Sequence, residues 1–83
     1  MNFEQMEHVV TVANEESITK AADKLFITTS GLSKSITQLE DELGIKIFNR
    51  SKRSIVPTID GKIVISTANS ILMRLTKIRM KSI

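Results

Sequence analysis

Apolar residues return at helical spacing in four successive stretches of this 83-residue chain, and the breaks between the stretches are short. That pattern confines the chain to a mainly helical fold in one small unit. In the first stretch, from about Phe3 to Asn14, Phe3, Met6, Val9, Val10 and Ala13 share a face that reads as core, while Glu4 and Glu7 lie off it. The second opens at Ser17, whose hydroxyl suits an N-cap, and buries Ile18, Ala21, Ala22 and Leu25. Its alanines let another helix pass close. A helix of about two turns is marginal by itself, so packing must hold it. After the turn Phe26-Ile27, Thr28 is a further N-cap. The third helix runs to Leu43, where Gly44 can take the positive φ that ends a helix. Leu32, Ile36, Leu39 and Leu43 give it one narrow apolar stripe.

The other face of the third helix changes character along its length. It begins with Thr29, Ser30, Ser33, Lys34 and Thr37 and ends with Glu40, Asp41 and Glu42. Carboxylates at a helix C-terminus oppose the macrodipole and repel phosphate. Short hydroxyls, a lysine and free amides at the N-terminal end suit an approach to phosphates or base edges. The expectation is a helix whose first two turns meet a nucleic acid and whose last turn faces away. An ordinary amphipathic helix with a Ser/Thr-rich start would show the same pattern.

Residues Ile45 to Arg50 alternate apolar and polar as a strand does, and Ile55-Val56, ended by Pro57, reads as the return strand. The turn between them carries Lys52 and Arg53. A basic hairpin tip of this kind is a wing, placed to meet a backbone or minor groove, although basic turns also occur on ordinary surfaces. The last helix starts near Thr58, an N-cap candidate, and continues without proline to the end of the sequence. Val64, Ala68, Ile71, Leu75 and Ile78 form a heptad seam that suits a second helix. Ile63, Ile65 and Leu72 widen the apolar face toward the domain itself. Twenty-five residues of helix span about 37 Å, so the distal half is expected to project.

Charge is distributed unevenly. Residues 1–16 hold four glutamates and no lysine or arginine, whereas residues 46–83 hold nine basic side chains and only Asp60 as an acid. A net charge of +3 thus hides a strongly basic second half, suited to a polyanion or to a solvated basic tail. The chain has no cysteine, which excludes disulfides and thiolate metal sites and fits a cytoplasmic setting. No apolar run approaches a membrane span, and the start lacks the basic-then-apolar order of a signal peptide, so the reading is a soluble, unprocessed chain. His8 is the only histidine, and no nucleophile, base and orienting group occur together. An enzyme is therefore not expected, no cofactor or metal is called for, and His8 reads as an ordinary surface or boundary residue.

A short helix, a turn and a longer helix entered by Thr-Thr-Ser is helix-turn-helix order. Ser17-Ile18-Thr19-Lys20-Ala21-Ala22 followed by Leu25 resembles the S-F-T-R-A-A-x-x-L signature of LysR-type regulators. Leu32-Ser33-Lys34-Ser35-Ile36 resembles their L-S-R-x-I, and Leu39 to Gly44 their L-E-x-x-L-G. Ile47-Phe48-Asn49-Arg50 resembles L-F-x-R, and Pro57 to Gly61 resembles L-T-x-A-G. The five pieces follow in register across residues 1 to about 80. The chain departs from the family at Thr29-Ser30, where Gln-Pro is common, at Lys34, where Arg is usual, and at Val9, often Phe. Threonine offers one hydroxyl and a methyl where glutamine reads adenine with two bonds, so the family's base preference is not carried over there. Lysine lacks the planar fork of arginine, which makes Lys34 a point-charge anchor for phosphate.

The resemblance implies a winged helix-turn-helix over residues 1–57, with a three-helix core and two-stranded wing, and a linker helix over 58–83 that pairs two copies. It implies sequence-specific binding to double-stranded DNA, at an interrupted inverted repeat, by a homodimeric bacterial regulator. The third helix, about 28–43, would lie in the major groove. Thr28, Thr29, Ser30, Ser33, Lys34, Thr37 and Gln38 are its candidate contacts, with Thr29, Ser30 and Ser33 nearest the base edges. Arg50, Lys52 and Arg53 would serve the wing, and Ser17 and Thr19 the phosphate at the start of the second helix. A complete member of the family carries a C-terminal effector domain, through which alone a small molecule would act. A second reading is an interaction module that pairs with a full-length regulator through the linker helix without reading DNA.

Overall fold

A computed structural model describes residues 1–50 and 54–81, with side chains as far as residue 78. It contains α1 (Phe3–Glu15), α2 (Ile18–Leu25), α3 (Thr29–Leu43), β1 (Phe48–Asn49), β2 (Val56–Pro57) and α4 (Ile59–Lys81). Helices α1, α2 and α3 pack on one another, and α4 lies along α1. Val9, Val12, Ala21, Ala22, Leu32, Ile36, Leu39, Ile47 and Phe48 form the core where the elements meet. Val9, Ala21, Ala22, Leu32, Ile36 and Leu39 lie where their apolar spacing placed them, and Val12 joins them on α1. Phe3 and Leu43, also expected on core faces, are 58% and 40% exposed because each sits at an end of its helix.

The helix ends show why the chain breaks where it does. Asn2 and Gln5 form a capping box at the start of α1, each side chain bonding the other's backbone amide at 2.7 and 2.9 Å. Ser17 accepts from the Lys20 amide at 3.1 Å, and Thr28 from the Gly31 amide at 3.0 Å, as their caps require. Gly44 ends α3 at φ 70°. Glu16 and Phe26 end α1 and α2 in the same left-handed region, at φ 54° and 58°. A side chain there is strained by about 1–2 kcal/mol. Phe26 is 95% exposed and loses nothing by truncation within one chain. Phe26→Gly is therefore expected to raise stability by about 0.5–1 kcal/mol once the added freedom of the unfolded chain is subtracted. A melting curve checks this, and a lowered Tm would mean that Phe26 is covered in solution.

The wing strands are shorter than the alternation of residues 45–50 predicts. They pair antiparallel, Phe48 opposite Pro57 and Asn49 opposite Val56. The preceding backbone is committed elsewhere: the Ile47 amide bonds the Glu40 carboxylate, and the Ile47 carbonyl accepts from the Thr58 amide at 2.9 Å. Thr58 begins α4 by accepting from the Gly61 amide at 2.9 Å, and its hydroxyl donates to the Lys46 carbonyl. Gly61 is buried where α4 presses on this segment, and a Cβ there would meet the Ile47 carbonyl oxygen at 1.9 Å.

Two expectations for α4 need correction. Ala68, taken as part of a seam for a second copy, is fully buried within the single chain. Ile63, expected to pack on the domain, is 63% exposed, while Ile65 packs against the core as expected and Val64, taken as part of the seam, packs there too. The reason is geometric: α1 occupies the side of α4 that carries Ala68, and a groove lined by Phe3, Glu7, Leu72 and Leu75 marks where the two helices run together. Ala68, ten residues into α4, is still buried against the rest of the chain.

Candidate nucleic-acid interface

The N-terminal half of α3 presents an open polar surface. Thr29, Ser30, Lys34, Thr37 and Gln38 are exposed and make no side-chain hydrogen bond to another described residue. Thr19, near the start of α2, is likewise exposed. The apolar stripe of α3 positions this surface, because Leu32, Ile36 and Leu39 have no solvent exposure and fix the helix about its axis. Ser17 and Thr28 differ from the rest: each already spends a lone pair on its own helix cap.

The last turn of α3 exposes Asp41 and Glu42 but buries Glu40. Glu40 is 4% exposed, and one of its carboxylate oxygens accepts from the amides of Ile47 and Phe48 at 2.8 and 3.3 Å. The other oxygen lies 3.7 Å from Nη2 of Arg50. Nη1 of Arg50 donates to the Ser33 hydroxyl at 3.0 Å. Two residues singled out as separate DNA contacts, Ser33 on α3 and Arg50 beside the wing, are thus hydrogen-bonded to each other above a buried carboxylate. Glu42, by contrast, is surface charge, 3.4 Å from the chain's amino terminus.

His8 also departs from expectation. It is buried at 7% exposure, and its Nδ1 lies 2.7 Å from the Ser35 hydroxyl, joining α1 to α3. The wing tip, Lys52 and Arg53, lies outside the described residues. Among the described residues no three His, Asp or Glu side chains cluster so as to hold a metal, and no helix is long and apolar enough to cross a membrane.

Three helices, a two-stranded wing and an open polar helix face together define a winged helix of the DNA-binding class. The family model described as "Bacterial regulatory helix-turn-helix protein, lysR family" matches residues 3–62. The chain belongs to that family. It is 39% identical over 75 residues to the HTH-type transcriptional regulator BsdA of Bacillus subtilis (strain 168), covering 89% of this chain and 26% of BsdA. It is 40% identical over 81 residues to the HTH-type transcriptional regulator cbl of Escherichia coli (strain K12), covering 95% of this chain and 26% of cbl. The chain therefore spans about a quarter of the length of these relatives. Among solved structures, the BenM DNA-binding domain in complex with catB site 1 DNA superposes with a TM-score of 0.94 at 34% identity, covering 99% of this chain and 92% of that one. The fold and the family both mark the chain as a DNA-binding domain, and the relatives it matches are named as transcriptional regulators.

Proposed function

We propose that the chain reads double-stranded DNA sequence-specifically as a homodimer, with α3 in the major groove and the wing on the flanking backbone or minor groove. The observation that carries this is the open face of Thr29, Ser30, Lys34, Thr37 and Gln38, held in place by a fully buried stripe on the same helix. Structural neighbours crystallised with DNA support it. Thr29, Ser30 and Ser33 address base edges, while Lys34 and the wing's Lys52 and Arg53 address phosphate. Thr19, Thr37 and Gln38 flank these contacts, and the capping residues Ser17 and Thr28 offer their helices' N-terminal ends to phosphate.

Pairing falls on apolar side chains that the chain leaves uncovered on α4. Ile63, Met73 and Ile78 are all more than half exposed, and Ile71 and Leu75 are half-buried. Val64 and Ala68 hold the helix to its own domain. Two symmetric copies read an interrupted inverted repeat. The regulator acts in the cytoplasm, and any small-molecule effector works through a further domain of a complete protein.

Selection of bound duplexes from a random pool, followed by fluorescence anisotropy in a salt series, tests the reading. An enriched inverted repeat with steeply salt-dependent affinity is the expected result. Lys34→Ala is expected to weaken all duplexes about equally and to lower the salt slope by about one unit. A folded, dimeric protein that binds no duplex at low salt would overturn the proposal and leave the pairing module as the better account.

A further inference from the structure

We propose that Arg50 is a positioning residue for base recognition: clamped by Glu40, its guanidinium fixes Ser33 as a hydrogen-bond donor toward acceptor edges in the major groove. The inference rests on α3 entering that groove. It identifies the chemistry that one position of the helix selects.

A serine hydroxyl has one O–H and two lone pairs. At Ser33 one lone pair receives Nη1 of Arg50 at 3.0 Å, so the O–H must point away from the guanidinium. The cation polarises that O–H and strengthens it as a donor. Ser33 is half-buried, which confines its rotamer. Arg50 is confined as well, because Nη2 faces a carboxylate that the Ile47 and Phe48 amides immobilise. The outward hydrogen suits the acceptors of the major groove, namely guanine N7 and O6, adenine N7 and thymine O4. The remaining lone pair could accept from the amino groups of cytosine or adenine, but the guanidinium draws electron density from that oxygen and makes it the weaker acceptor, so those donors are disfavoured opposite it. Arg50 makes a poor phosphate anchor in this arrangement, since Glu40 already balances its charge and little counterion release remains to be gained.

The test uses duplexes selected by the unmodified chain. The pair facing Ser33 is the one whose preference Ser33→Ala relaxes. Arg50→Ala and Arg50→Lys are both expected to relax that same pair about five- to tenfold, the worth of one hydrogen bond. Preferences elsewhere and the salt slope should stay unchanged. In the Ser33→Ala background, Arg50→Ala should add no further loss. Arg50 is an exposed residue, and the lysine variant carries the test if the alanine variant melts early. Uniformly weaker binding in Arg50→Ala, with a slope lower by about one unit and rescue by Arg50→Lys, would make Arg50 a phosphate anchor and overturn the proposal. A Ser33→Ala variant with unaltered preference at every pair would overturn it too. Absence of duplex binding by the unmodified chain is a different result: it removes the groove reading itself.

Discussion

Replacing Glu40 by alanine is expected to destabilise the domain by about 2–4 kcal/mol, chiefly by stranding the two backbone amides that its carboxylate holds. Two observations set this magnitude. The carboxylate is 4% exposed, so water cannot replace it without opening the fold. Its loss also strands the amides of Ile47 and Phe48, and an unsatisfied buried amide costs about 1–3 kcal/mol. Glu40→Gln separates the two roles. A glutamine oxygen can accept from both amides, but its amino group then faces the Arg50 guanidinium donor to donor, so the ion pair is lost while the two amide bonds survive. We expect about 1–2 kcal/mol for it, because the hydrogen bonds survive. Urea unfolding followed by circular dichroism distinguishes the variants. A loss below about 1 kcal/mol for Glu40→Ala would show that the carboxylate is not needed beneath the wing.

Gly61→Ala should be comparably damaging for a purely steric reason. Alanine is the better helix former by about 1 kcal/mol, and in an open helix it would stabilise. Here its Cβ would sit 1.9 Å from the Ile47 carbonyl oxygen and 2.7 Å from the carbonyl carbon. Both are backbone atoms, so no rotamer change relieves the contact. The oxygen also accepts from the Thr58 amide, so moving the strand breaks a hydrogen bond at the start of α4. The net expectation is a loss of about 3 kcal/mol, at the upper end of overpacking costs. For a domain of this size that corresponds to a fall in Tm on the order of 15 °C. A melting temperature within a few degrees of the unmodified chain would refute the close approach of α4 to the Ile47 backbone.

The helical plan was legible because its signals are local. Ser17, Thr28 and Gly44 each announce a helix end within four residues, and the stripe from Leu32 to Leu39 announces a buried face. The Asn2–Gln5 capping box is a local signal of the same kind that the reading passed over. The family pieces placed the wing and the recognition helix in order. What escaped depends on contacts between residues far apart along the chain. Glu40 meets amides seven and eight residues away across a turn, and no helical period connects them. His8 and Ser35 lie 27 residues apart. Arg50 looked like a free cation because sequence does not reveal which way a guanidinium turns. The seam on α4 misled for a related reason: a stripe such as Val64, Ala68 and Ile71 is equally suited to a second copy and to α1 of its own chain. Only the full burial of Ala68 decides between them.

The junction at Thr58 has a mechanical consequence. Its backbone amide and hydroxyl tie the first turn of α4 to residues 46 and 47, and Glu40 ties residues 47 and 48 to α3. Linker, wing and recognition helix therefore share one welded corner with no swivel between them. A torque applied at the far end of α4 reaches the exposed polar face of α3 as rotation of the whole block. Any bending that spares this block must fall within α4 itself, beyond the buried Ala68.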